Sequence, residues 1–411
     1  MEIVGVAAEY NPFHRGHELH LARTRRAFGE DAAFVCVLSG DFVQRGEAAV
    51  FSKHARAEAA CRCGADLAVE LPLPWSLSSA EGFARGAVRL RGGLGCTAIS
   101  FGSEAGELEP LEELARELVD PELQSRVKAK LAADATLSYA AARQLAAADR
   151  LGAEKAALLG QPNNILAVEY LKAAHELRLP LRPFTMARQG SGHDASGGEL
   201  LSAMAIRRLL YEGEDVSSQI PEGAAAVYER EIRCGRAPVD RQALETALLA
   251  RLRALREEDF EALPDGGDGL GLRLCRAAKA EPTLDAVLAA AGTKRYALAR
   301  LRRMLCCAAL GLRSEDLSGL PPYARVLAAT ERGREVLRAA SRSEGLPILT
   351  KPAAVRELPA DCLRVFELGA NAHDRWALGC PAAEERRGGG DWRASPVIIR
   401  NSEFGIRNEK G

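Results

Sequence analysis

The sequence predicts an α/β chain: a doubly wound parallel sheet first, then a mainly α-helical C-terminal part. Three observations carry this. Short apolar runs alternate with helical patterns through the first hundred residues, the connections between them are short, and strand signals nearly vanish beyond about residue 220. Strand–helix–strand alternation with short loops implies right-handed βαβ units and hence a parallel sheet.

The elements follow in order. "EIVGVAAEY" (2–10), "AAFVCVLSG" (32–40), "DLAVELP" (66–72) and "CTAISFGSE" (96–104) are bounded by Gly, Pro or Asp and read as buried strands. Between them, "GHELHLARTRRAF", "SKHARAEAACRCG" and "SSAEGFARGAVRLRGG" are helical in pattern. Ser78 or Ser79 is a capping residue for the last of these, and a glycine pair ends it. Residues 104–160 read as helices, "NNILAVEYLKAAHEL" (163–177) as a further one, "LRPFTMAR" (181–188) as a fifth strand and "LLSAMAIRRLLYEG" (200–213) as a helix. Helical spacing then continues to about 345, broken by the loop "LPDGGDGLG" (263–271). A polar tail from about 381 holds one β-like run, "SPVIIR". The expected division is 1–220, 221–380 and a tail, 381–411, packing on the rest.

At 411 residues the chain exceeds one average domain, and its net charge of −1 makes it no polycation. Any nucleic-acid contact must therefore come from a local basic face. The ten cysteines form no CxxC pair, no run reaches membrane-spanning length, and no secretory signal is evident. Reduced thiols in a cytoplasmic protein are expected.

The chemistry concentrates at "EYNPFHRGHELHL", where the first strand hands over to its helix. Ligands bind at the carboxyl ends of strands in open α/β sheets, and a helix N-terminus offers free N–H groups to anions. His14 and His17 there suit hydrogen bonding to a phosphate chain, and Gly16 admits close approach to the backbone. On this tetrapeptide alone an exposed polar turn fits as well. Zinc ligation by His14, His17 and His20 lacks HExxH and a Cys or carboxylate partner set, and a P-loop is excluded for lack of GxxxxGK[ST]. No metal site is predicted.

Taken with "LSGDFVQRGEAAVFSKHARAEAACRCGADLAVELP", "ISFGSE", "QPNNILAVEYLKA", "SAMAIRRLL", "TKRYALARLRRMLCCAALG", "PPYARVLAATERGREVLRAA" and "SPVIIRNSEFG", that segment resembles one family over nearly the whole chain. The family is the tRNA(Met) cytidine acetate ligases, within the HxGH nucleotidyltransferase superfamily. The resemblance implies a Rossmann-like catalytic domain at 1–220 and a helical tRNA-binding domain at 221–380. It implies that ATP, expected to arrive with Mg2+, and acetate give acetyl-adenylate. The N4 amine of the wobble cytidine in elongator tRNA(Met) then takes the acetyl group, giving N4-acetylcytidine.

It also implies site residues. Ala7, Ala8, Glu9, Tyr10, Asn11, Pro12, Phe13, His14, Arg15, Gly16, His17, Glu18, Leu19 and His20 should wrap ATP, with His14 and His17 on the phosphates. Gly102, Asn163 (rather than Asn164) and Arg188 should contact the nucleotide, and Ser202 and Arg207 should steady the leaving pyrophosphate. Asn163 doubles as a candidate N-cap. Asp41, Gln44 and Lys53, after the second strand, are candidates for an acyl or phosphate site, with a solvated loop as the alternative. The chain departs from the family pattern at Asp41, at Ser52–Lys53–His54, around His193 and at Ala167, which leaves the acyl pocket open.

"TKRYALARLRRML" gathers Lys294, Arg295, Arg300, Arg302 and Arg303 around Tyr296. A helix there would put Arg295, Arg302 and Arg303 on one face, suited to RNA phosphates. Two other functions remain compatible with these residues: adenylylation of a small cofactor precursor, and RNA binding by an inactive protein of the same fold.

Overall fold

The computed structural model describes residues 1–134, 136–187, 192–193, 199–267, 269–293, 296–342 and 345–400, with only the backbone of 192, 193 and 199. Five parallel strands form the heart of the sheet: β1 (Ile3–Ala8), β2 (Ala33–Ser39), β3 (Leu67–Leu71), β4 (Ala98–Ser103) and β5 (Arg182–Ala187). Their spatial order is β3-β2-β1-β4-β5, with the switch point beside β1. Seven helices position the site or brace it: α1 (Arg15–Phe28), α2 (Lys53–Arg62), α3 (Ala80–Gly93), α4 (Pro162–Glu176), α5 (Ala203–Glu212), α6 (Glu222–Arg233) and α7 (Leu298–Leu310).

Alternate residues of the strands feed two cores, which is why the strands read as unbroken apolar runs. Val35, Val37, Val69 and Leu71 pack with Ala87 and Leu90 of α3 and Val168 and Leu171 of α4. On the opposite face Val4, Val6, Phe34, Cys36 and Leu38 meet Leu21 of α1 and Ala55 and Ala59 of α2. A third core joins the C-terminal helices through Leu244, Leu248, Leu274, Leu301, Leu305 and Trp376.

The second half is not wholly helical. β6 (Ala324–Thr330) pairs antiparallel with β3, and β7 (Ile348–Leu349) and β8 (Val397–Ile399) pair with β6 in parallel, making an eight-stranded sheet. An Ala-rich run buried on both sides has no period that separates strand from helix, so β6 is silent in the sequence. The β-like run at 395–400 does contain β8. Residues 324–330 therefore return to the first sheet, and a further helix, α8 (Ala360–Ala377), packs beside them. Among the described residues no helix is long and apolar enough to cross a membrane.

Candidate active site

The carboxyl end of β1 is held by a fully buried cation. Arg56 of α2 donates from Nη1 to the Glu9 carbonyl (2.5 Å) and from Nη2 to the carbonyls of Ser39 (3.1 Å) and Gly40 (2.5 Å). One guanidinium thus ties together the ends of two neighbouring strands. Beyond the clamp Tyr10 takes φ of +47°, a left-handed conformation costly for a side chain of its size. The Asn11 carboxamide oxygen accepts from Val50 N–H (2.9 Å), and Phe13 N–H donates to the Tyr228 hydroxyl of α6 (2.8 Å).

His14 is the N-cap of α1. Its Nδ1 accepts from Gly16 N–H (3.1 Å), while His17 Nδ1 accepts from His14 N–H (3.3 Å), a capping box made of two imidazoles. The rings lie 3.8 Å apart, and Tyr10 meets His17 edge-on at 4.8 Å. A Cβ on Gly16 would come within 2.8 Å of the His14 ring, so the space over this glycine belongs to His14. His20 Nε2 lies 2.8 Å from Ser100 Oγ on β4.

A cleft of about 550 Å3 opens above these groups. Of the residues singled out in the sequence, it brings together Ala7, Ala8, Glu9, Tyr10, Asn11, His17, His20, Gln44, Gly102, Asn163, Ser202, Arg207 and Arg303. Pro12, Phe13, His14, Arg15, Gly16, Glu18 and Leu19 do not line it. Phe13 is fully buried, Arg15 turns away to the Ser218 carbonyl (2.7 Å), and His14 sits behind His17.

The walls come from elements far apart in sequence. Gly102 pairs with Met186 across β4 and β5. Asn163 is not the N-cap of α4, which is Gln161; instead the Glu104 carboxylate accepts from the Asn163 and Asn164 N–H groups (3.1 and 2.7 Å) and from Asn163 Nδ2 (2.7 Å). Asn164 is buried below, with its Oδ1 accepting from Ala105 N–H (3.0 Å). Ser202 caps α5, its Oγ accepting from Ala205 N–H (3.3 Å). Arg207 reaches back to the Asn11 carbonyl (2.8 Å) and to Glu47 (3.0 Å). Arg188 lies outside the described residues.

Asp41 and Lys53 depart from the expected acyl or phosphate site. Lys53 is fully buried, and its Nζ lies 2.7 Å from both Glu70 and Asp391. Arg325 of β6 bonds the same two carboxylates (3.0 and 2.6 Å), His54 reaches Asp391 (3.0 Å), and Asp41 accepts from Lys53 N–H (2.7 Å) and bonds His373 of α8 (2.9 Å). Burial works against each charge. For Lys53, Asp391 and Glu70 outweigh it and raise the ammonium; for Asp41, His373 and Lys53 outweigh it and hold the carboxyl below its usual range. Every charged end is matched to a protein partner, so these side chains are structural ties between β2, α2 and the C-terminal segments. Three of the partners, Arg325, His373 and Asp391, lie more than 250 residues away in sequence, and nothing local announces them.

The basic stripe also differs from the helical projection, because α7 begins at Leu298. Arg300 donates to the Asp265 carbonyl (2.8 Å) and stacks on Tyr296 (5.1 Å), and Arg302 lies at the surface 3.8 Å from Asp285. Arg303 turns into the cleft. Lys294 and Arg295 lie outside the described residues. The cleft residues that sequence reasoning missed include Phe83 and Tyr170, which carry no signal beyond core periodicity. Among the described residues no group of three or more His, Cys, Asp or Glu is placed to hold a metal ion.

A strand-end turn, a histidine-capped helix and a second capped helix bearing an arginine around one cleft define a class, the nucleotidyl transferases of the HIGH type. The family model "HIGH Nucleotidyl Transferase" matches residues 1–389. A tRNA(Met) cytidine acetate ligase of Syntrophomonas wolfei is 36% identical over 97% of this chain and 99% of its own. One from Syntrophotalea carbinolica is 38% identical over 85% of each chain. The crystal structure of Thermotoga maritima TmcAL bound with alpha-thio ATP superimposes with a TM-score of 0.90 at 32% identity, covering 97% of this chain and 100% of that one. The chain belongs to the tRNA(Met) cytidine acetate ligase family, and it is a ligase.

Proposed function

We propose that the chain joins acetate to the wobble cytidine of elongator tRNA(Met) in two steps within the described cleft. The observation that carries this is the convergence of His17, Gly102, Asn163, Ser202 and Arg207 on one cavity, in a chain alike to its relatives from end to end. ATP lies along it, with adenosine toward Gly102 and Asn163 and the phosphates toward His17, Ser202 and Arg207; Arg188 is proposed as a further phosphate contact. His14 supports His17 from the helix cap behind it.

An acetate oxygen attacks the α-phosphorus and pyrophosphate leaves. Charge accumulates on the bridging oxygen, where imidazole and guanidinium donors and the N-termini of α1 and α5 are most effective. Among the described residues no group of three or more His, Cys, Asp or Glu is placed to hold a metal ion, so Mg2+ would come in on the ATP phosphates, and no step is assigned to it. The N4 amine then attacks the acetyl carbon and displaces AMP. Residues 221–380 present the RNA-binding face; Arg300, Arg302 and Arg303, with Lys294 and Arg295, meet the RNA backbone, positioning the tRNA without selecting it. Incubation of the protein with ATP, labelled acetate and tRNA from cells lacking the modification tests the reading. Label in N4-acetylcytidine supports it; AMP esters of another acceptor, with unlabelled tRNA, would overturn it.

A further inference from the structure

Adenylate-forming chemistry calls for positive charge, and the cleft has it: Arg45, Arg207 and Arg303 all line it, as does His17. Against this stands Glu9, the one carboxylate among the described residues lining the cleft. A negative group beside a polyphosphate opposes nucleotide binding unless it serves the chemistry.

Its position is fixed rather than incidental. The Glu9 carbonyl is clamped by buried Arg56, and its Oε1 accepts from Gln44 N–H (3.1 Å). No other hydrogen bond to the carboxylate comes from the described residues, which leaves Oε2 available to a ligand. Glu9 also immediately precedes Tyr10, whose left-handed backbone turns the chain across the strand end.

We infer that Glu9 is the general base of the acyl-transfer step, taking the proton from the attacking cytidine amine. This rests on the ligase reading above. The N4 lone pair forms the C–N bond to the acetyl carbon, and the carbonyl π pair moves to oxygen. The N4 proton passes to Glu9, the oxyanion collapses, and the C–O bond breaks with its pair leaving on AMP. Glu9 then returns the proton to solvent. An exocyclic cytosine amine is a weak nucleophile, so removing its proton during attack matters. Burial raises the Glu9 carboxyl above its ordinary value, nearer the working pH. Glu47, in the short hairpin after β2 that pairs Phe42–Val43 with Glu47–Ala48, pushes the same way, while Arg207 of α5, the Gln44 N–H and Arg45 oppose it. His17 and His20 of α1, Tyr10, Tyr170 of α4 and Arg303 of α7 complete the charged and titratable surroundings on the cleft wall.

The two steps are separable. Acetate-dependent exchange of labelled pyrophosphate into ATP reads the first; single-turnover transfer to unmodified tRNA(Met) transcript reads the second. In Glu9→Gln, transfer should fall about 10²–10⁴-fold, at least about tenfold further than any fall in exchange. Transfer by the parent should rise with pH through one ionisation that the variant lacks, and Glu9→Asp should recover part of the rate. Exchange falling as far as transfer would overturn the inference in favour of a nucleotide- or cation-binding role. Unchanged transfer would overturn it outright. No acetate-dependent exchange by the parent would instead remove the ligase reading on which it rests.

Discussion

His14 caps the helix that carries His17, so its imidazole serves the fold, and in the proposed reaction it also holds His17 in place for the chemistry. Replacing His17 by Ala should lower acetate-dependent pyrophosphate exchange about 10²–10³-fold, the cost of removing one transition-state donor. His14→Ala should lower exchange and also cost about 1 kcal/mol of stability through the lost cap, whereas His14→Asn should keep most of that stability. Exchange rates and thermal melts on the three variants separate the two contributions. The histidine pair is legible in the sequence because it stands at a strand-to-helix turn. Which of the pair faces the ligand is not, since that depends on the stacking of the rings. Asp41 and Lys53 show the opposite failure: a loop position after a strand suggests ligand contact, and only the fold reveals that their partners are Glu70, His373 and Asp391.

At the scale of elements, the hairpin after β2 sets where α7 lies. Gly46 has φ of +74°, and a Cβ there would stand 2.5 Å from the Arg302 carbonyl carbon, with the Cys306 thiol donating to the Gly46 carbonyl (3.0 Å). Gly46→Ala should therefore push α7 outward and withdraw Arg303 from the cleft, beyond the ~1–3 kcal/mol of backbone strain. The expected result is a lowered melting temperature together with weakened tRNA transfer; parental transfer and stability would contradict the packing argument. Four of the five parallel strands are readable because strands buried on both faces give continuous apolar runs bounded by turn residues. β6 is not, because Ala324–Thr330 looks the same whether wound or extended.

Across the whole molecule, the buried ions tie the two halves of the chain together. Lys53 and Glu70 come from the first sheet domain, Arg325, His373 and Asp391 from the last ninety residues. Lys53→Met leaves buried carboxylates uncompensated and should cost about 3–5 kcal/mol, read from the denaturation midpoint. A chain ending at residue 220 lacks β6 and exposes the β3 edge, so it should aggregate rather than melt cooperatively; a monomeric, cooperatively folding fragment would contradict this. The pH dependence has a definite sign. Burial lowers the His373 imidazole, but Asp41 outweighs burial and raises it, so its contribution is full below the unfolded value of about 6.5 and is lost as pH rises through the raised one. Burial lowers His54, which instead loses stability as pH falls below about 6.5. Melting across pH 5–9 (about the range of these ionisations) should show a maximum between the two, and His373→Gln should flatten the alkaline side.

The most direct test of the account is mass spectrometry of nucleosides from unmodified tRNA incubated with the protein, ATP and isotopically labelled acetate. Label is expected in N4-acetylcytidine of elongator tRNA(Met), accumulating about 10²–10³-fold more slowly with His17→Ala. Intact tRNA and consumed ATP with no label in cytidine would contradict it.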